Sequence, residues 1–180
     1  MAIKNEHILD VAARVLARRP DATLQTIADS AGISRTTIFN RYPTRADLIE
    51  ALAIDAVKRI GEAMTRVPTS IDGDVEAAML EITEALMPLG PRTIFLRLFV
   101  DSPSALDAHW VEAATPLAIY MATLQAHGRL RLDQPPRWLV ASYIGLLFAA
   151  WDEIEAGEVG PAQAARLITQ TWLAGAGYSR

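Results

Sequence analysis

The sequence predicts an all-α protein of about nine helices. Apolar residues recur at three- and four-residue spacing nearly throughout, and no useful length alternates as a strand does. Prolines and glycines then divide the periodic stretches into helix-sized pieces. At 180 residues the chain suits one large domain, or a small domain joined to a larger one. Its 51% hydrophobic content is enough for a packed core and argues against disorder.

The first helix is expected from about Asn5 to Arg19, with Ile8, Leu9, Ala12, Val15 and Leu16 on one side and Pro20 just past its end. Thr23 is placed to cap a second, short helix reaching about Ala31, and Gly32 supplies its stop. Ser34 caps a third, from Arg35 to about Tyr42, which Pro43 ends. Thr44 caps a fourth, long helix, with Asp47 three residues on as in a capping box. Its apolar stripe is expected along Ile49, Ala53, Ala56, Ile60, Ala63 and Val67. "VPTSIDGD", residues 67–74, reads as a linker. Helices follow at about 74–88, 91–101, 103–127, 136–156 and 161–176, with Pro91, Pro103 and Pro161 near their starts. Pro116 predicts a kink or break in the seventh.

The second and third helices, joined through "AGIS", have the form of a helix-turn-helix. Ala28 and Ala31 are small enough for the helices to cross closely, and Gly32 can adopt the positive φ of a tight turn. Ile27, Ile33 and Ile38 would form a small core with the first helix. With Ile38 inward and about 100° per residue, Tyr42 and Ser34 share its side and Thr36 and Asn40 point outward. Thr37 and Phe39 flank those two, and Arg35 and Arg41 occupy the shoulders. Such a face can bond base edges through Thr36 and Asn40 and reach phosphate through the arginines, Arg35 being near enough to the helix start to reach a base. A solvated surface helix accounts for the two arginines alone, but Phe39 is awkward on such a surface.

Residues 23–53, "TLQTIADSAGISRTTIFNRYPTRADLIEALA", resemble the DNA-binding domain of the TetR (tetracycline-repressor) family of bacterial regulators. The resemblance is carried by Thr23, Ile27, Ala28, Ala31, Gly32, Ile33 and Ser34, then Thr37, Ile38, Phe39 and Tyr42, then Pro43, Thr44, Arg45 and Leu48. It implies a DNA-binding domain over residues 1–48, with recognition helix at about 35–42, and a helical effector-binding and dimerisation domain over 49–180. Where the family usually has tyrosine, with its hydroxyl often on a phosphate, this chain has Phe39. Arg41 stands where tyrosine or histidine is common, and Arg45 where lysine is, at a helix start that favours an anion. Thr36 holds a variable position, so no operator sequence carries over. Thr23 and Thr26 can donate to phosphate, with capping an equal use for Thr23. Ser34 serves first as a cap.

The segment Trp138–Trp151 is apolar nearly all around, which calls for cover on two sides. It is too short to span a bilayer, and no membrane association is expected. By resemblance the last two helices form a four-helix dimer interface, with Trp138, Ile144, Phe148, Trp151, Ile168 and Trp172 as candidates. A small-molecule effector would lie among the middle helices. Candidates are Phe95, Phe99, His109, Trp110 and Tyr120, although core is the generic use of such side chains.

Residues 1–50 hold seven basic side chains and six acids, and the rest ten and fifteen, so a near-neutral head precedes an acidic body. Binding to a polyanion needs a local basic face rather than a basic protein. Cysteine is absent, which excludes disulfides and thiolate metal sites and suits a reducing cytoplasm. No phosphate loop or H-E-x-x-H occurs, and the three histidines are scattered, so no enzyme, metal or cofactor is expected. The expectation is a homodimeric regulator, most simply a repressor, of a roughly palindromic double-stranded DNA operator. An all-α enzyme and a ligand-free architectural or protein-binding module stay open.

Overall fold

The computed structural model describes residues 5–99 and 105–177, with the side chains of 105–114 excepted. Among these residues there are nine α-helices and no strand. They are α1 (Asn5–Arg18), α2 (Leu24–Ser30), α3 (Arg35–Arg41), α4 (Arg45–Met64), α5 (Val75–Leu86), α6 (Gly90–Phe99), α7 (Ala105–Ala126), α8 (Pro136–Ala156) and α9 (Pro161–Ala176). A 3-10 turn, Met87–Leu89, links α5 to α6. The all-α expectation therefore holds. Pro116 does not break α7, which runs continuously through it.

Packing divides the chain into two compact units, Met1–Arg59 with Pro91–Asp107, and Ile60–Gly90 with Ala108–Arg180. Most of α4 and α6 thus packs with the N-terminal helices.

In the first unit, Ile8, Leu16, Ile27, Ile38, Leu48, Leu52 and Phe95 are fully buried. The buried residues of α4 as a whole are Leu48, Leu52, Ala53, Ala56, Ile60 and Met64, so Ala53, Ala56 and Ile60 of the expected stripe are buried, joined by Leu48, Leu52 and Met64. Ile49 and Ala63 lie half-buried at its margin, and Val67 falls past the helix end. Leu48 and Leu52 widen the buried face at the start of the helix, beside the small Ala53 and Ala56. Across this apolar interior lies one buried cation. Arg92 of α6 donates from Nε to Asp55 of α4 at 2.9 Å and from Nη2 to Asp10 of α1 at 2.6 Å. Arg59 shares Asp55 at 3.3 Å and also bonds Glu6. Such a charge is tolerable inside because carboxylates meet both of its edges.

In the second unit, α5 and α8 both pack on α9. Every fourth residue of α8, Leu139, Tyr143, Leu147 and Trp151, is buried. The Tyr143 hydroxyl lies 2.8 Å from that of Thr83 on α5, which in turn bonds the Met79 carbonyl and lies 3.5 Å from the Thr169 hydroxyl on α9. The Trp151 indole donates to the Met87 carbonyl at 3.2 Å and lies directly over Gly90. A Cβ on Gly90 would stand 2.5 Å from the ring.

Two outcomes follow from this core. Gly90→Ala should destabilise the second unit by about 1–3 kcal/mol in urea unfolding, because the indole has to leave its hydrogen bond to make room. The second concerns pH. Burial pushes the Tyr143 hydroxyl up to about 12, with the Thr83 hydrogen bond acting the other way. An unfolded tyrosine ionises near pH 10, so above that pH the unfolded state holds fewer protons than the folded one. This contribution to stability is complete below about pH 10 and is lost as pH rises towards about 12. Urea midpoints should fall over that window, and Tyr143→Phe should flatten the fall while costing about 1 kcal/mol at neutral pH.

Candidate nucleic-acid interface

The site is built on α2, α3 and the start of α4. Thr23, extended at φ −82° and ψ 163°, caps α2 by accepting from the Thr26 N–H at 3.1 Å. Its hydroxyl also lies 3.0 Å from that of Thr26. At the other end the chain reverses through Gly32 at φ +65°. The Ile33 N–H reaches the Ala28 carbonyl at 3.0 Å and the Gly32 N–H that of Asp29 at 3.2 Å. These two bonds make a Schellman turn, and buried Ile33 and Ala28 are its apolar contact. No atom crowds a Cβ placed on Gly32, so the backbone conformation and not space demands glycine here.

Ser34 begins α3 by accepting from the Thr37 N–H at 3.1 Å, and the two hydroxyls lie 2.8 Å apart. Ile38 is wholly buried, which turns α3 as the helical wheel requires. Tyr42 is buried at its end and donates to the Asn5 side chain at 2.6 Å. Burial raises the Tyr42 hydroxyl above the ordinary tyrosine value. His7 of α1 lies 3.4 Å from the Ala31 carbonyl. Thr44 and Asp47 form the expected reciprocal box, Asp47 N–H to Thr44 at 3.2 Å and Thr44 N–H to Asp47 at 2.7 Å.

On the outward side, Arg35, Thr36, Asn40 and Arg41 are exposed. Among the described residues Thr36 and Asn40 have no hydrogen-bond partner, so their polar groups face solvent uncommitted. Phe39 is half-buried, and its ring carries the Arg35 guanidinium 4.8 Å from the centroid. The phenylalanine that seemed out of place is therefore covered by its own helix. Arg45 is more occupied than its sequence position suggested. It donates from Nε to the Ala22 carbonyl at 3.1 Å and from Nη2 to that of Pro20, with its guanidinium 5.5 Å from the Phe99 ring. Asn5 and His7 belong to the scaffold of this site, yet nothing local in the sequence marked them.

The other candidate side chains are dispersed. Phe95 and Phe99 stack in the first unit at 4.9 Å, whereas Tyr120 is buried in the second. The side chains of His109 and Trp110 lie outside the described residues. In the second unit a cavity of about 430 Å3 opens beside α7, among Val67, Ile71, Pro116, Ile119 and Tyr120. Of the interface candidates, Trp151, Ile168 and Trp172 are buried within their own unit. All three take part in the core of the second unit, where the Trp172 indole bonds the Leu139 carbonyl and Trp151 covers Gly90. Ile144 and Phe148 are half-buried, and Trp138 is 60% exposed beside a shallow groove between α8 and α9.

Residues 8–52 match the family model of bacterial regulatory proteins of the tetR family. The chain is 33% identical over 159 residues to the HTH-type transcriptional repressor LfrR of Mycolicibacterium smegmatis, covering 83% of this chain and 78% of LfrR. The chain belongs to the TetR family. Its members are helix-turn-helix transcriptional regulators, and the resemblance carried by residues 23–53 is thereby confirmed. A second relative of this TetR-family chain, the HTH-type transcriptional regulator NfxB of Pseudomonas aeruginosa, is 24% identical over 177 residues, which are 96% of this chain and 94% of NfxB. The crystal structure of LfrR from Mycobacterium smegmatis in complex with proflavine superposes with a TM-score of 0.74 at 26% identity, covering 94% of each chain. Among the described residues no helix is long and apolar enough to cross a membrane.

Arg45→Ala should lower the stability of the first unit by about 1–2 kcal/mol in urea unfolding, since two carbonyls at the α1–α2 turn lose a charged donor. A residue used only on phosphate would leave the midpoint unchanged.

Proposed function

We propose that this chain is a repressor that binds a roughly palindromic operator as a homodimer and is released from it by a small apolar or amphipathic ligand. The observation that carries the DNA-binding part is the outward face of α3. Thr36 and Asn40 stand there uncommitted between arginines, on a helix whose start is capped and whose inner side is anchored. In this reading Thr36 and Asn40 touch base edges, while Arg41 and, with the hydrogen bonds it has left, Arg45 reach phosphate. Thr23, Thr26, Ser34 and Thr37 cap and orient the helices, their hydroxyls keeping a lone pair or proton for the backbone.

Two-fold pairing is supported by α8. Its inner row is used in its own unit, and the exposed Trp138 with half-covered Ile144 and Phe148 remains for a second copy. A dimer of this kind presents two recognition helices to two half-sites. The ligand is assigned to the second unit, where the cavity beside α7 has mainly apolar walls with Thr69, Thr115 and Thr123 among them. Release requires that the ligand bind the free and DNA-bound states unequally. Relatedness to LfrR makes proflavine the first ligand to try. The protein acts in the cytoplasm, without catalysing a reaction.

Selection from random DNA should enrich a two-fold site, bound less tightly as salt rises. Asn40→Ala should relax preference at one position per half-site by about 1–3 kcal/mol. Failure to enrich any sequence, together with no binding at low salt, defeats the reading.

A further inference from the structure

Arg35, which opens α3, and Arg45, which opens α4, are held in different ways, and the difference assigns one of them a task. Arg45 spends hydrogen-bond donors on the Ala22 and Pro20 carbonyls. Arg35 spends none. Among the described residues it has no hydrogen-bond or ion-pair partner, and its guanidinium lies against the Phe39 ring at 4.8 Å. A cation–π contact of this kind does not require any of the five guanidinium N–H groups to be spent on a hydrogen bond. Arg35 is thus held on one side while its donors remain available.

The placement matters as much as the hold. Arg35 is the first residue of α3 and Phe39 the fifth, so the ring lies one turn along the same flank. That flank adjoins the outward position of Thr36. Phe39 is itself half-buried, which limits its motion, and Ile38 beside it is wholly buried. An arginine free in water loses rotamer entropy when fixed, and a ring that holds it beforehand reduces that loss. A planar edge with two parallel donors near the start of a recognition helix matches O6 and N7 of guanine in the major groove.

We propose that Arg35 reads a guanine in each half-site and that Phe39 is the positioning residue that holds its guanidinium for the contact. The proposal rests on the DNA-binding reading above. It gives Phe39 a use that needs the ring and not a hydroxyl. It also adds a base reader to Thr36 and Asn40.

The test is sequence selection, followed by affinity measurements against salt, with wild type, Arg35→Ala, Phe39→Leu and Phe39→Tyr. Thermal unfolding of each variant checks that it is folded. Wild type should prefer guanine at one position per half-site, and Arg35→Ala should lose that preference by about 5- to 150-fold. Phe39→Leu should weaken the preference at the same position by a few-fold, while Phe39→Tyr, which keeps the ring, retains it. None of the three should flatten the salt dependence by a full phosphate contact. If Arg35→Ala weakens all sequences alike and flattens the salt slope, Arg35 is a phosphate contact and the proposal is overturned while DNA binding stands. Unchanged guanine preference in a folded Phe39→Leu overturns the positioning role. A wild type that enriches no sequence overturns the DNA-binding reading and this proposal with it.

Discussion

The reversal of the chain at Gly32 is the constraint on which the interface depends. A residue at φ +65° lets α2 end in two backbone bonds, from Ile33 to Ala28 and from Gly32 to Asp29, and sends the chain straight into the Ser34 cap. A side chain there would meet no atom, so the cost of replacing the glycine lies in the backbone alone. Once the turn is set, only two residues, Ile33 and Ser34, separate it from α3. The rotation of α3 is then fixed by Ile38, which has to be inside. Seven residues are too few for a helix to persist in water, so α3 owes its existence to the cap at one end, Ile38 in its middle and Tyr42 at the other end.

This explains why the interface was so legible in the sequence. Its determinants are local: caps at Thr23, Ser34 and Thr44, glycine at 32, proline at 43, and one apolar residue that sets the wheel. Each of them acts within about four residues. Signals of that range survive in a single chain. The long-range partners did not. Asn5 against Tyr42, and Arg45 against the Pro20 and Ala22 carbonyls, join residues more than twenty apart, and no spacing announces them. At Arg45 only its own helix start was visible in the sequence, so its two carbonyl partners went unannounced. Phe39 read as exposed because a wheel places a direction and not the neighbour that fills it.

The long helices show a different limit. On α4 the expected Ala53, Ala56 and Ile60 are buried, but so are Leu48 and Leu52 beside them; spacing alone does not say how wide the buried face of a helix is. On α8 the apolar residues surround the helix, and composition alone could not say which of them face the core of their own unit. The large tryptophan at 151 went inward, where Gly90 leaves room for its indole. Trp138, more than three turns away, stayed largely exposed. The difference comes from what the opposing helix offers, a property of packing rather than of pattern.

Each unit, taken by itself, joins three of its helices through one buried polar node, and these nodes were the least legible features of all. In the first unit Arg92 links α6 to Asp55 on α4 and Asp10 on α1. In the second the hydroxyls of Thr83, Tyr143 and Thr169 meet from α5, α8 and α9. A periodicity argument sends polar residues outward, so it has no way to place them. Their value is one of register. Apolar side chains tolerate a helix that slides by a turn, because one contact replaces another of similar strength. A hydroxyl or guanidinium moved by a turn loses its partner and is left buried without one, at about 1–3 kcal/mol for a neutral group and more for a charge. The apolar pattern therefore brings these helices together, and the polar node selects one alignment from those the pattern would allow.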